Sequence, residues 1–175
     1  MGTLIDIEPL GRVEIAQESV FGFANGLPGF PAARRFGLVA RKQDSPFAWM
    51  VSLDQPDLAF VIVNPFELFP SYSPRLSPED LHCLGLAEQG EAVLYAIVNV
   101  PDDPKEMTLN LRAPVALNPA QRVGRQAILA GQEYSTRHPV LGGDPAPRPP
   151  TDEQADAESN QTSQGRRDAG AGTDA

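Results

Sequence analysis

The sequence predicts a mainly β protein, in which a small antiparallel β-barrel-like domain carries one short helix at about residues 77–85 and a disordered C-terminal tail. Short apolar runs recur along the first 141 residues, and turn signals such as Asn-Gly and Pro-Gly separate them. The 18 prolines would disrupt helices but are tolerated at strand ends and in turns. Many short strands with one helix are typical of a sheet that closes, or nearly closes, on itself.

Strands are predicted wherever apolar side chains alternate or cluster over a few residues. The clearest alternation lies in 47–53, where Phe47, Trp49, Val51 and Leu53 share one face. Residues 59–63 form an apolar block that is rich in β-branched side chains and too short for a core helix. The remaining predicted strands are 4–7, 12–15, 19–23, 36–40, 92–100, 107–111, 115–117 and 125–129.

One helix is predicted after residue 77. Ser77 is a favourable N-cap, Pro78 suits the first helical position, and Gly85 suits the end. Glu79 and Asp80 lie in the first turn, where the helix dipole favours acidic side chains. The pattern therefore indicates a helix of about two turns.

The end of the chain has a different composition from the rest. From Gly142 onward it contains no Val, Ile, Leu, Met, Phe, Trp, Tyr or Cys. Such a segment cannot bury enough apolar surface to offset the entropy lost on ordering. Residues 1–141 are therefore predicted to be the folded domain, and residues 142–175 a disordered, acidic, Pro/Gly/Ala-rich tail.

Composition restricts the classes of partner. With 23 acidic and 14 basic residues, the net charge of −9 disfavours direct binding to nucleic acid and favours a basic protein partner. The single cysteine, Cys83, excludes an intrachain disulfide and a cysteine metal cluster. No apolar run is long enough to span a membrane, and Asp6 and Glu8 interrupt the region that a signal peptide would need. We therefore expect a cytoplasmic protein that does not contact the membrane.

No catalytic, metal-binding or cofactor-binding motif emerges from the sequence. His82 and Cys83 are adjacent, and neighbouring helical side chains point to different faces, so they do not form a nucleophile–base pair. No phosphate-binding loop is present. We expect neither an enzyme nor a cofactor, although a small β-scaffold hydrolase that uses His138 with a carboxylate stays open as an alternative.

The segment after the 59–63 strand combines large apolar side chains with Pro65, Pro70 and Pro74. Because proline restricts regular structure there, its aromatic side chains either fill a core from a loop or are presented to a partner on a stiff backbone. The predicted partner-binding residues are Asn64, Phe66, Glu67, Phe69 and Tyr72, together with Asp57 in the preceding turn.

Two other stretches are predicted to be structural. The sequence NGLPGF at 25–30 holds two dipeptides that favour tight turns, and it indicates a corner capped by Phe30. The sequence YSTRHP at 134–139 is rich in hydrogen-bonding side chains and indicates a C-terminal latch onto the sheet.

Six motifs follow one another along the domain: NGLPGF (25–30), QPDLAF (55–60), NPFELFPSY (64–72), NVPDDP (99–104), MTLNLRAP (107–114) and YSTRHP (134–139). In this order they resemble the FliW family of bacterial flagellar assembly factors, and the resemblance covers roughly residues 10–140. Asn64 departs from the aspartate that is more usual in the family at that position. The motif residues expected to be structural are Asn25, Gly26, Pro28, Gly29, Phe30, Asn110, Pro114, Tyr134, Arg137 and His138.

The resemblance implies a non-enzymatic domain that is monomeric when free. Proteins of this family bind flagellin in the cytoplasm, and they bind CsrA, a small RNA-binding translational repressor. Binding of CsrA prevents it from silencing flagellin mRNA, and competition between CsrA and flagellin couples synthesis to assembly. In some bacteria a protein of this family instead works with CsrA in repression, and the sequence leaves both possibilities open. Another small β interaction module or chaperone that does not bind CsrA stays open as an alternative.

Overall fold

The computed structural model describes residues 2–8, 10–40, 44–131 and 133–143. Almost all of the predicted tail, from residue 144 onward, lies outside the described residues. Within them we number ten strands and two α-helices in chain order. The strands are β1 Gly2–Ile7, β2 Gly11–Ala16, β3 Val20–Gly22, β4 Arg35–Ala40, β5 Phe47–Ser52, β6 Ala59–Val63, β7 Val93–Asn99, β8 Thr108–Asn118, β9 Val123–Gln126 and β10 His138–Pro139, and the helices are α1 Pro65–Leu68 and α2 Pro78–Leu84.

Seven strands close into a barrel, in the order β8-β7-β6-β5-β4-β3-β9, and β9 pairs back with β8. The pairings are antiparallel except for the one between β3 and β9, which is parallel and rests on Gly22 opposite Val123. Closure protects the strand edges, which would otherwise be left unpaired. The predicted antiparallel, barrel-like fold is confirmed, with one parallel contact completing the ring.

The barrel interior is filled by side chains that alternate along its strands. Phe36, Met50 and Ile62 have no exposed surface, and Phe23 packs edge-on against Phe36 with ring centroids 5.1 Å apart. Gly124 is required here because a Cβ at that position would lie 2.4 Å from the Phe23 ring. The buried members of this cluster are Phe21, Phe23, Leu27, Ala33, Phe36, Met50, Ile62, Val115 and Leu117.

Apolar layers also cover the outside of the barrel. The β1–β2 hairpin packs Ile7 and Ile15 against Val51, with Trp49 beside them. Helix α2 packs Leu84 against β7 and β8. The shared face that the alternation predicted for Trp49 and Val51 therefore packs against the hairpin, while Met50 on the opposite face of β5 fills the barrel.

Helix α2 agrees with the prediction at both ends. Ser77 is the N-cap and forms a capping box with Asp80, while Gly85 ends the helix in the left-handed conformation with φ 66°. The prediction of a single helix was wrong, since Pro65–Leu68 forms a short second one. Asn64 caps α1 and Pro65 occupies its first turn, so two residues that indicated a strand end also begin a helix.

Strand β8 replaces two predicted strands, 107–111 and 115–117. Tyr95 pairs with Val115 and Ile97 pairs with Asn110, so one residue of β7 lies opposite residues 111–114 of β8, and β8 bulges. Pro114 lies in this bulge, where proline is tolerated because no ladder hydrogen bond needs its nitrogen. Its carbonyl accepts a hydrogen bond from Ala127 N, and Asn110 Oδ1 accepts one from Ala113 N. Both residues therefore take part in shaping the bulge.

Candidate functional site

The predicted partner-binding residues are divided between the two ends of strand β6. Asp57 lies in the turn that precedes β6, and Asn64 and Glu67 follow its other end. A strand over 59–63 is about 17 Å long at about 3.3 Å per residue. The structure therefore does not bring Asp57 together with the other predicted residues.

One candidate surface lies where β6 ends, and we call Asn64, Phe66 and Glu67 the helix-end surface. Asn64 Oδ1 accepts a hydrogen bond from Phe66 N at 3.0 Å, and its Nδ2 donates to Glu67 Oε1 at 3.5 Å. The Phe66 side chain is 40% exposed, and Glu67 is exposed beside it. The N-cap of α1 thus holds an exposed aromatic ring and a carboxylate in a fixed relation.

The other two aromatic residues of this segment point inward. Phe69 and Tyr72 are buried, and Tyr72 Oη–H donates to the Leu111 carbonyl at 2.6 Å. The Tyr72 ring packs edge-on against Tyr134, and Phe69 packs edge-on against His138, each with centroids 4.8 Å apart. Burial assigns Phe69 and Tyr72 to the core, so the predicted partner set at this end of β6 narrows to Asn64, Phe66 and Glu67.

The pKa values of two tyrosines reflect the division of the 64–72 segment into a buried and an exposed part. Burial raises the pKa of the Tyr72 phenol far above its ordinary value, and the neighbouring Tyr134 raises it further. Burial also raises the pKa of Tyr95, to which the negative charge of Glu67 adds. Since the Glu67 charge acts on a residue of β7, the helix-end surface lies beside that strand.

A second candidate surface lies at the opposite end of β6, and we call Phe30, Pro56 and Asp57 the turn-end surface. These residues help to line a shallow depression of about 500 Å³. The Phe30 side chain is 36% exposed and packs edge-on against Phe60, with centroids 5.7 Å apart. This end therefore also presents an aromatic ring and a carboxylate.

Asp54 lines the same depression and links the turn-end surface to β4. Its carboxylate accepts hydrogen bonds from the backbone N–H groups of Arg34 and Arg35 and from Arg35 Nε, each at 2.8 Å. Burial alone would raise the pKa of Asp54, but these hydrogen bonds and the Arg35 charge outweigh it and lower the pKa. The sequence analysis did not single out Asp54, because its donors lie about twenty positions away in the chain.

The two stretches predicted to be structural lie at the 25–30 corner and at the C-terminal side of the sheet. Gly26 has φ 64°, and a Cβ there would lie 2.4 Å from the Phe30 carbonyl oxygen, so the corner requires glycine. Asn25, Pro28 and Gly29 are exposed on the same corner. At the C-terminal side, Tyr134 is buried, His138 pairs with β8, and Arg137 is exposed.

Two carboxylates of helix α2 have different environments. Asp80 is buried, closes the capping box with Ser77 and pairs with Arg125 Nε at 2.7 Å. Glu79 is exposed and pairs with the same guanidinium at 3.1 Å. Of these two carboxylates, only that of Glu79 is therefore accessible to a partner, because Asp80 is buried against Arg125.

The remaining candidates for chemistry are spread over the fold. His138 Nε2 donates to the Gly143 carbonyl at 2.9 Å, and the exposed Cys83 thiol lies 3.0 Å from Arg125 Nη1. Among the described residues, no group of three or more His, Cys, Asp or Glu side chains is placed to hold a metal ion. A search of the same residues found no helix with the length and apolar character needed to cross a membrane.

Comparison with known proteins agrees with the sequence motifs. The FliW protein family matches residues 5–140. Flagellar assembly factor FliW of Syntrophomonas wolfei is 37% identical over 132 residues, covering 75% of this chain and 85% of that protein, and that of Symbiobacterium thermophilum is 42% identical over 141 residues, covering 78% and 98%. A crystal structure of the flagellar assembly factor FliW superposes with a TM-score of 0.73 at 32% identity, covering 81% of this chain and 99% of that one. The chain therefore belongs to the FliW family of flagellar assembly factors.

Proposed function

We propose that this protein binds flagellin and a CsrA-like RNA-binding regulator in the cytoplasm. In this proposal, the bound regulator no longer represses flagellin mRNA. Flagellin competes for the protein, so free flagellin releases the regulator and reduces further synthesis. The protein acts by binding alone and needs no cofactor.

The observation that carries this proposal is the exposed Phe66 ring beside the Glu67 carboxylate on a capped helix. Aromatic residues with a rigid backbone are frequent anchors of protein interfaces, because little conformational entropy is lost when they bind. Burying one such side chain contributes about 1.5–3 kcal/mol before the costs of association. A single anchor does not reach micromolar affinity, which needs about 8 kcal/mol. The polar rim and the strand edges must therefore contribute the remainder.

Charge supports the choice of a basic partner. The chain has a net charge of −9, and the exposed Glu67 and Asp57 add negative potential on both candidate surfaces. Such a field accelerates encounter with a cationic protein and repels RNA from the complex. Both effects suit a protein that removes an RNA-binding regulator from its message.

Direct binding measurements test the proposal. The full-length protein is titrated with purified flagellin and with the CsrA-like regulator of the same bacterium, and the heat of binding is recorded. We expect both to bind, with Phe66→Ala weakening at least one complex by about tenfold, or about 1.4 kcal/mol. Leu4→Ala is the matched control, because Leu4 is 63% exposed and lies on the β1–β2 hairpin.

The outcomes separate the alternatives. Binding of neither protein at micromolar concentration would overturn the proposal. Binding of flagellin without the regulator would favour a flagellin chaperone that takes no part in translation. Equal weakening by Phe66→Ala and Leu4→Ala would remove the helix-end surface from the interface while leaving the partners in place.

A further inference from the structure

Two of the arginines that form no ion pair among the described residues meet at one place in the fold. Arg75 follows the aromatic segment, and Arg112 lies in the β8 bulge. In the part of the chain that the structure describes, neither belongs to an ion pair, although acidic side chains outnumber basic ones. The pairs that do form are Arg35 with Asp54, Arg125 with Glu79, and Arg125 with Asp80.

Arg75 and Arg112 line the same pocket, which has a volume of about 550 Å³. Ser71 and Ser73 are exposed in its wall, and Tyr134 and Glu133 also line it. Bringing two guanidinium groups into one pocket is electrostatically unfavourable unless an anion lies between them. The pocket therefore has the composition of an anion-binding site.

Buried hydrogen bonds hold the two sides of this pocket together. Ser73 N donates to Tyr134 Oη at 3.1 Å, and Tyr72 Oη–H donates to the carbonyl of Leu111, the residue before Arg112. The Arg112 carbonyl accepts a hydrogen bond from Leu129 N at 2.9 Å. The backbone that carries the arginines and serines is thus fixed before any ligand arrives, which reduces the entropy lost on binding.

The balance of charge in the pocket indicates the class of anion. Two arginines and Glu133 give a net charge of about +1, which matches a carboxylate better than a phosphate dianion. A planar guanidinium binds a carboxylate through two parallel N–H···O hydrogen bonds, and serine hydroxyls can donate to the same oxygens. We propose that the pocket lined by Arg75, Arg112, Ser71 and Ser73 binds a carboxylate of an acidic side chain in a polypeptide.

This inference is independent of the function proposed above, which assigns the acidic helix-end surface to a basic partner. The carboxylate pocket has the opposite sign and lies beyond the other end of the 64–72 segment. A protein with both sites recognises a partner that presents positive and negative groups a fixed distance apart, which increases selectivity over partners with only one of them.

A peptide titration with the full chain tests the proposal. The probe is the blocked pentapeptide acetyl-Gly-Asp-Glu-Asp-Gly-amide, and the reference is its Asn/Gln counterpart. We expect the backbone amide signals of Arg112 and Gly131 to shift in NMR spectra with the acidic peptide only. The affinity should fall at least tenfold in Arg112→Gln and in Arg75→Gln, and stay unchanged in Arg137→Gln, an exposed arginine that does not line the pocket.

Several results would overturn the proposal: equal binding of the amide peptide, equal affinity of the arginine variants, or tighter binding of inorganic phosphate than of the acidic peptide. Because Arg75 is exposed, Arg75→Gln leaves the core intact and separates loss of binding from loss of folding.

Discussion

The two ends of strand β6 present similar surfaces over different anchors. Each surface combines a part-exposed phenylalanine with an exposed carboxylate, Phe66 with Glu67 at the helix end and Phe30 with Asp57 at the turn end. Beneath the helix-end surface lie packed aromatic rings and the buried Tyr72 hydrogen bond. Beside the turn-end surface lies the Asp54 carboxylate, which accepts hydrogen bonds from Arg34 N, Arg35 N and Arg35 Nε.

The difference shows that a similar exterior does not imply a similar origin of stability. An aromatic anchor depends on buried apolar area, which does not change with pH. A carboxylate anchor depends on ionisation, which does. The two ends should therefore respond differently to truncation, to acid and to changes of surface charge, and each response can be measured separately.

The largest effect is expected from truncating the aromatic anchor. Phe69→Ala removes a buried ring that packs against His138, and such substitutions lower the free energy of unfolding by about 3–5 kcal/mol. Phe66→Ala is the matched control at the helix-end surface and should lower it by about 1 kcal/mol or less. Urea unfolding followed by circular dichroism measures both.

Similar losses for the two variants would contradict the division of the 64–72 segment into an exposed and a buried half. A second check is the Tyr72 hydroxyl, which Tyr72→Phe removes without changing the ring. Because the Leu111 carbonyl would lose its buried donor, we expect a loss of about 1–3 kcal/mol.

A smaller, pH-dependent effect is expected at the turn end. The folded-state pKa of Asp54 is lowered, so its stabilising effect is present above the pKa of the unfolded chain, near 3.9, and disappears as the pH falls through the lower folded pKa. Asp54→Asn should therefore cost about 1 kcal/mol at pH 7 and almost nothing once the wild-type carboxylate is protonated. The midpoint of urea unfolding, measured for both proteins from pH 7 downward, tests this.

Glu91 provides the control for this measurement, since its carboxylate accepts hydrogen bonds from the N–H groups of Ala87 and Glu88 away from β6. In Glu91→Gln, the unfolding midpoint should keep the pH dependence that Asp54 contributes. A cost of Asp54→Asn that stays constant between neutral and acid pH would show that shape, rather than ionisation, accounts for the anchor.

Local sequence patterns were sufficient where structure depends on neighbouring residues. Ser77, Pro78 and Gly85 specify the ends of α2, and alternation places most strands. Local patterns failed where contacts between residues distant in the chain determine the structure. The contact of β3 with β9 joins Gly22 to Val123, and no local rule predicts such a closure. The bulge opposite Tyr95 likewise lets Pro114 lie within a strand, where local rules placed an interruption.

The same limit applies to the candidate site. Apolar side chains and prolines marked residues 64–72 as unusual, but the direction of each ring depends on what packs against it. Tyr72 is buried because Tyr134 and Leu111 receive it, and both are distant in the chain. The Asn64 cap had a local signal, since Asn-Pro is a common start of a helix. Recognising it would have predicted α1 and the exposure of Phe66 at its first turn.

The smallest expected effect distinguishes the two ends as sites of encounter with a basic partner. Glu67→Lys and Asp57→Lys make the same change of charge at opposite ends of β6, a strand about 17 Å long. The screening length is about 10 Å at 0.1 M salt and about 30 Å at 0.01 M. If the helix-end surface receives the partner, Glu67→Lys should slow association with the CsrA-like regulator several-fold at 0.1 M, and Asp57→Lys should slow it less.

At 0.01 M salt the two variants should become more alike, because both charges then act over the whole surface. Stopped-flow association rates at the two salt concentrations measure this, and a larger effect of Asp57→Lys at 0.1 M would transfer the site of encounter to the turn end.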